Sequence, residues 1–232
     1  MSSLTIQELP EGDRPREKLA RLGAGALSEA ELIAILLRVG MKGVNAVELA
    51  RGILRKYGSL AAVARCSVAE LAKVKGIGIA KAVQLAAAFG LGQRLAFETI
   101  AAQPMDKPEL IYALLGAEMR TLERESLRVI LLDTKNHLIR VEEISLGSLN
   151  ETTAHPREIL RPAIIHAAFS FVLVHNHPSG DPAPSEADKR VTRKILDAAR
   201  LLQLTFADHV IIGAPLPGRL PYFSFAEAGW MQ

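Results

Sequence analysis

Between positions 175 and 188 the chain reads His-Asn-His-Pro-Ser-Gly-Asp-Pro-Ala-Pro-Ser-Glu-Ala-Asp. Two imidazoles two residues apart and a carboxylate beyond a turn-forming stretch are residue types that bind a divalent ion such as zinc. His175 and His177 follow the apolar run 171–174, Phe-Val-Leu-Val, which suits a central strand. Strand alternation then points both rings to one side. The Pro/Gly-rich stretch lets the chain reverse. Ser185 falls where a helix N-cap would be, which puts Asp188 in that helix's first turn and lets its carboxylate return to the two rings. Two nitrogens and one carboxylate leave a fourth tetrahedral position for water, as in catalytic zinc sites. Singly, a His is most often a core or surface residue, and Ser-x-x-Asp is most often only a cap. Their coincidence across one turn points to a metal, with one zinc per chain expected.

The elements that must position these residues are strands and helices in mixed order. Residues 109–122 repeat Ile111, Leu114, Leu115, Met119 and Leu122 on one helical face. The period then changes: 127–132 and 138–144 are rich in strand formers, with Asp133-Thr134-Lys135-Asn136 as a hairpin turn between them. Pro156 opens a further helix, which Pro162 is expected to kink. Residues 191–202 return to helical spacing, and Val210-Ile211-Ile212 form a last strand. This order implies an α/β back half.

The 175–188 segment matches H-x-H-x(7)-S-x-x-D of the JAMM (MPN) metalloproteases, and the fuller string HNHPSGDPxPSxxD closely resembles the bacterial RadC family. His155-Pro156-Arg157-Glu158, Leu132-Asp133-Thr134-Lys135-Asn136 and Asp208-His209 with Val210 to Gly213 are also similar to that family. The resemblance covers essentially the whole chain. It implies a cytidine-deaminase-like JAMM/MPN domain, a mixed sheet flanked by helices, that hydrolyses amide or isopeptide bonds with a zinc-activated water. It carries over His175, His177 and Asp188 as metal ligands and Ser185 as the hydroxyl that bonds the oxyanion. It also implies Glu125, at the opening of the strand after the domain's first helix, as general acid/base. Arg128 departs from the small residue usual near that position. From the residues alone any carboxylate reaching the water would serve, and Glu142, Glu143 and Glu158 are rivals. Of the other histidines, His155 before Pro156 reads as a cap or packed residue, and His137 as solvated in a turn. His166 falls within a helix, and His209 is a strand residue whose face is open.

The front half reads as short helices. Ser28 and Ser67 each open a capping box with Glu31 and Glu70, residues 46–56 carry a helical apolar face, and a longer helix follows Gly78. Before residue 104 there is no strand pattern. The stretch Val74-Lys75-Gly76-Ile77-Gly78-Ile79-Ala80-Lys81 resembles the hairpin of a helix-hairpin-helix motif. Its two glycines permit a tight turn and expose backbone N–H groups at the start of a helix, which can hold a phosphate without reading bases. Lys75, Gly76, Gly78 and Lys81 are therefore the candidate nucleic-acid contacts, although such hairpins also pack purely as structure.

Charge supports a division of labour. Residues 1–103 carry 14 Lys/Arg against 9 Asp/Glu, whereas residues 104–232 carry 14 against 16. A basic front makes non-specific DNA a candidate partner. The single cysteine, Cys66, excludes an internal disulfide and an all-cysteine zinc site. No apolar run approaches the ~18–20 residues of a membrane helix, and the N-terminus lacks the apolar segment of a signal peptide. A cytoplasmic protein without a membrane partner is expected. The expected organisation is a small all-α helix-hairpin-helix-like domain over 1–103 and a JAMM-like α/β domain over 104–232. The expected function is a zinc-dependent hydrolase of a protein or peptide. The alternative is a DNA-associated accessory protein in repair or recombination, whose metal is structural or acts on phosphodiesters.

Overall fold

A computed structural model describes residues 6–146 and 155–231. The first five residues, part of the stretch that argues against a signal peptide, lie outside the described residues. The chain divides into two compact units, Met1–Leu95 and Ala96–Gln232. The division falls inside a helix, ahead of the boundary expected at 103/104.

In the first unit, α1 (Pro15–Leu22), α2 (Glu29–Leu37), α3 (Ala46–Tyr57), α4 (Leu60–Arg65) and α5 (Val68–Ala72) lead into α6 (Gly78–Ala101). The starts of α2 to α5 are fixed by side chains that accept the otherwise unpaired N–H groups of a first turn. Ser28, Asn45, Ser59 and Ser67 all do so, and Ser28 and Ser67 form complete capping boxes with Glu31 and Glu70. The apolar stripes of these helices meet in one core that includes Ile33, Leu37, Ala50, Ile53, Leu71, Ile77 and Leu85. No strand of the described residues lies in this unit.

In the second unit, α7 (Pro108–Met119) precedes β1 (Ser126–Leu132) and β2 (Leu138–Leu146). Then come α8 (Pro156–Ile165), β3 (Ser170–Asn176), α9 (Glu186–Leu201), β4 (Thr205–Ile212) and β5 (Tyr222–Ser224). The sheet order is β2-β1-β3-β4-β5, antiparallel except for the parallel β3/β4 pair, which α9 connects. β3 is central, and every one of its residues is buried, which is why it reads as an unbroken apolar run rather than an alternating one. One sheet face carries Leu127, Val129, Leu131, Phe171 and Leu173 against Ile159 and Ala163 of α8 and Val191 and Ile195 of α9. The other carries Ile130, Leu132, Val172, Val174, Val210 and Ile212 against Ile111, Leu115 and Met119 of α7. Each such buried aliphatic side chain contributes ~1.5–3 kcal/mol of transfer free energy. The mixed sheet flanked by helices agrees with the expected class. β4 begins earlier than the sequence suggests, and β5 has no counterpart among the expected strands. α8 continues through Pro162. Among the described residues no helix is long and apolar enough to cross a membrane.

Candidate metal centre

His175 is the penultimate residue of β3, opposite Leu127 of β1 and Ile211 of β4, and His177 follows the strand. The reversal after them is tied down by backbone bonds: His177 N–H donates to Ile212 (3.0 Å) and Ala214 N–H to Gly180 (2.8 Å). Gly213 permits this approach, since a Cβ there would lie 2.6 Å from the Gly180 carbonyl oxygen. Asp181 closes the loop by accepting from Ala183 N–H (2.8 Å) and pairing with Arg219. Ser185 then caps α9, and its capping-box partner is Asp188.

The result is a triangle of atoms able to bind a metal. His175 Nε2 and His177 Nε2 are 3.1 Å apart, Asp188 Oδ1 is 3.3 Å from His175 Nε2, and Asp188 Oδ2 is 3.5 Å from His177 Nε2. Ligands bonded at ~2.0–2.1 Å to a tetrahedral ion stand ~3.3 Å from one another. His175, His177 and Asp188 thus form a group that could hold a metal ion. Proton counting says the same at His177. Its Nδ1 lies 2.7 Å from the Asp181 carbonyl oxygen, which can only accept, so Nδ1 carries a proton and in the neutral ring Nε2 offers a lone pair. Asp188 is 2% exposed. Burial alone would raise its carboxyl pKa, but the adjacent His175 and His177 imidazoles and the Ser185 hydroxyl hold it well below the usual carboxylate range. Burial likewise pulls the His177 imidazole down, yet Asp188, the Asp181 carbonyl and the charge of Glu125 together leave it raised. The site draws positive charge.

Glu125 is thus the carboxylate beyond Asp188 whose field acts on His177. Asn176 holds its backbone: Asn176 Oδ1 accepts from Ser126 N–H (2.8 Å), and Nδ2 donates to the Arg124 carbonyl (3.2 Å). The clamp therefore grips the residues on both sides of Glu125. Its rivals are engaged elsewhere. Glu142 pairs with Arg140 and lies 3.6 Å from His166; Glu143 accepts from Ser126 Oγ (3.2 Å); Glu158 pairs with Arg157 (3.2 Å). Glu142, Glu143 and Glu158 line a separate groove with Arg161 and His166. Arg128, the departure from the JAMM pattern, reaches Glu118 of α7 at 3.0 and 2.5 Å, across the sheet from the ligands. It leaves the side of β1 that faces His175 and His177 clear.

Ser185 Oγ donates to Asp188 Oδ2 (2.5 Å) and accepts from Asp188 N–H (3.2 Å), while Ser185 N–H also bonds Oδ2 (2.7 Å). Its hydroxyl proton is thus spent on orienting a ligand rather than facing a carbonyl oxygen. His155 caps α8 through Nδ1, which accepts from Arg157 N–H (3.1 Å). His209 is fully buried, and burial followed by the neighbouring His175 pushes its pKa well below the ordinary value.

At the hairpin, Gly76 has φ +90° and a Cβ there would lie 2.9 Å from Met41 Sδ, so this position excludes side chains. Gly78, at φ +60°, starts α6 in open space. Lys75 is exposed. Lys81 is engaged inward: its ammonium bonds the carbonyls of Val39 (2.7 Å), Gly76 (2.9 Å) and Gly40 (3.2 Å). All three donors are used inward, so Lys81 ties the turn together and has no proton left for a phosphate.

Two family descriptions match this chain: a RadC-like JAB domain over residues 105–230 and a UPF0758 N-terminal domain over residues 6–83. A UPF0758 protein of Caldanaerobacter subterraneus subsp. tengcongensis is 45% identical over 212 residues, 91% of either chain. One from Chloroflexus aurantiacus is 44% identical, covering 99% of this chain and 98% of its own. One from Methanosarcina acetivorans is 41% identical across all of this chain and 99% of its own.

Proposed function

Since the chain belongs to the UPF0758 family, with a RadC-like JAB domain as its second unit, we propose that it is a zinc-dependent hydrolase of amide or isopeptide bonds. The observation that carries this reading is the triangle itself: two imidazole nitrogens and a buried carboxylate spaced 3.1–3.5 Å apart. Lone pairs at that spacing repel unless a cation lies among them. Two nitrogens and one oxygen suit zinc, and three protein ligands are the number found in catalytic rather than structural sites. His175, His177 and Asp188 would hold the ion, which supplies Lewis acidity and lowers the pKa of water to ~7.

The remaining chemistry falls to the chain. Glu125 takes a proton from the attacking water and returns it to the leaving nitrogen, a role that fits a carboxylate close enough to act on His177. Asn176 keeps Glu125 in place through the backbone on either side of it. Ser185 keeps Asp188 turned toward the histidines, and reaches a developing oxyanion only if its hydroxyl is released from that bond. Profiling the zinc-loaded full chain against peptide, isopeptide and branched-DNA substrates tests this reading. Chelator-sensitive cleavage of amide substrates supports it; cleavage of DNA alone transfers the site to phosphodiester chemistry, and no cleavage sensitive to chelation overturns it.

A second reading concerns the first unit. Gly78, Ile79 and Ala80 are exposed at the start of α6, whose first turn carries no acidic residue, beside the exposed Lys73 and Lys75. Leading N–H groups of a helix lack intrahelical partners and attract phosphate. We propose that this face binds DNA without sequence preference and brings the hydrolase to it. The accessory role in repair or recombination rests on the same face and is tested by DNA titration of the full chain.

A further inference from the structure

His209 and Thr192 lie behind the triangle, and their hydrogen bonds run in one direction only. Thr192 Oγ is 2.7 Å from the Asp188 carbonyl oxygen and 2.6 Å from His209 Nδ1. A carbonyl has no proton to give, so the one hydroxyl proton goes to it, and Thr192 Oγ must accept from His209 Nδ1–H. That leaves His209 Nε2 as an acceptor. It lies 2.9 Å from His175 Nδ1, which must therefore be the protonated nitrogen of His175. His175 Nε2 is then left with a bare lone pair, aimed at His177 Nε2 and Asp188.

We propose that Thr192 and His209 form a relay that locks the tautomer of His175 so that Nε2 is always the metal-facing lone pair. Both are positioning residues, and the proposal rests on the zinc reading above. The relay starts and ends on ligand residues: it takes its direction from the backbone of Asp188 and delivers it to the ring of His175. His177 obtains the same tautomer from the Asp181 carbonyl, so the two imidazoles are oriented by separate devices. Outer partners of this kind typically change metal affinity ~10–100-fold when removed.

The C-terminal segment braces the relay. Phe225 stacks on the His209 ring with centroids 4.8 Å apart and planes 8° from parallel. Its N–H donates to the His209 carbonyl (3.0 Å). Asp208 holds this segment by accepting from Ser224 Oγ (2.6 Å) and Ala226 N–H (2.8 Å). The short strand β5 and the turn after it thereby keep an imidazole plane fixed while its neighbours supply the direction.

The test uses the full chain labelled with 15N-histidine, read in the metal-free state at about pH 8 and then titrated with zinc against a competing chelator. In the wild type, long-range 15N–1H correlations should show His175 protonated at Nδ1. Thr192→Val keeps the shape and removes the hydroxyl, and His209→Phe keeps the stack on Phe225 and removes both nitrogens. Either should leave His175 as a mixture of tautomers and weaken zinc binding ~10–100-fold. Thr192→Ser should restore both readings, which a loss of packing would not do. Melting temperatures confirm that each variant is folded; if Thr192→Val is not, Thr192→Ser and His209→Phe decide the matter. An unchanged His175 tautomer in His209→Phe, or a wild type protonated at His175 Nε2, overturns the relay. If the wild type shows the expected tautomer but takes up no zinc, the zinc reading fails while the relay stands.

Discussion

Both the turn after β3 and the turn before α6 are short, glycine-bearing segments that end at a helix start, and both look from sequence like places where polar groups await a ligand. They differ once internal bonds are counted. At the hairpin, the Lys81 ammonium is consumed by three carbonyls, and what remains for a partner is backbone N–H and the exposed Lys73 and Lys75. At the triangle, His177 Nδ1 bonds outward to the Asp181 carbonyl and, in the proposed relay, His175 Nδ1 bonds outward to His209, which leaves lone pairs pointing into the centre. A motif's residue types are equally suggestive in the two places. What separates a site from a brace is which atoms are left over.

Substitutions at the two turns should separate them, most strongly at the triangle. Glu125→Gln keeps size and removes the base, so turnover should fall ~10²–10⁴-fold while zinc content holds. Measuring both together matters, because full activity in this variant alongside loss in Glu142→Gln or Glu158→Gln would move the base to the groove beside β2. Asn176→Ala should act on the same step from behind, lowering kcat ~10–10²-fold through misplacement of Glu125, with zinc affinity nearly unchanged. A fall in zinc affinity equal to the fall in kcat would show that Asn176 serves the metal instead.

The hairpin gives smaller effects. If Lys73 and Lys75 contact phosphates, replacing each by Ala should reduce the slope of log affinity against log salt by about 1. Lys81→Met should leave that slope alone and lower the melting temperature, since it removes three bonds that tie two turns together. A slope change for Lys81→Met with stability intact would restore Lys81 as a phosphate contact. Smallest is Ser185→Ala. Losing the cap of α9 should cost ~1 kcal/mol of stability, read as a lower melting temperature, with zinc still bound and turnover reduced less than in Glu125→Gln.

Much of the candidate metal centre is legible in the sequence. His175, His177, Ser185 and Asp188 lie within one strand, turn and helix start, so spacing alone brings them together. The capping boxes at Ser28 and Ser67 are legible for the same local reason. Asn176, Thr192 and His209 are not, because the partners that matter come from β1, β3, β4 and α9 and depend on strand register. Alternation does place Asn176 on the face opposite its histidine neighbours, which is the one signal that singles it out. His209 has an open face until the pairing of β4 with β3 sets it opposite Leu173. β5 is too short, at three residues, to show a strand period, and Asp208 and His209 interrupt the apolar run of β4. α1 and α4 are too brief to repeat an apolar face over several turns.

Zinc content of the full chain, compared by elemental analysis among the wild type, His175→Ala, His177→Ala, Asp188→Ala and His155→Ala, shows whether the triangle holds the ion. One zinc per wild-type chain is expected, retained in His155→Ala, whose ring only caps α8, and largely lost in the three triangle variants. Zinc unchanged in all three, or absent from the wild type after zinc loading, would contradict the account.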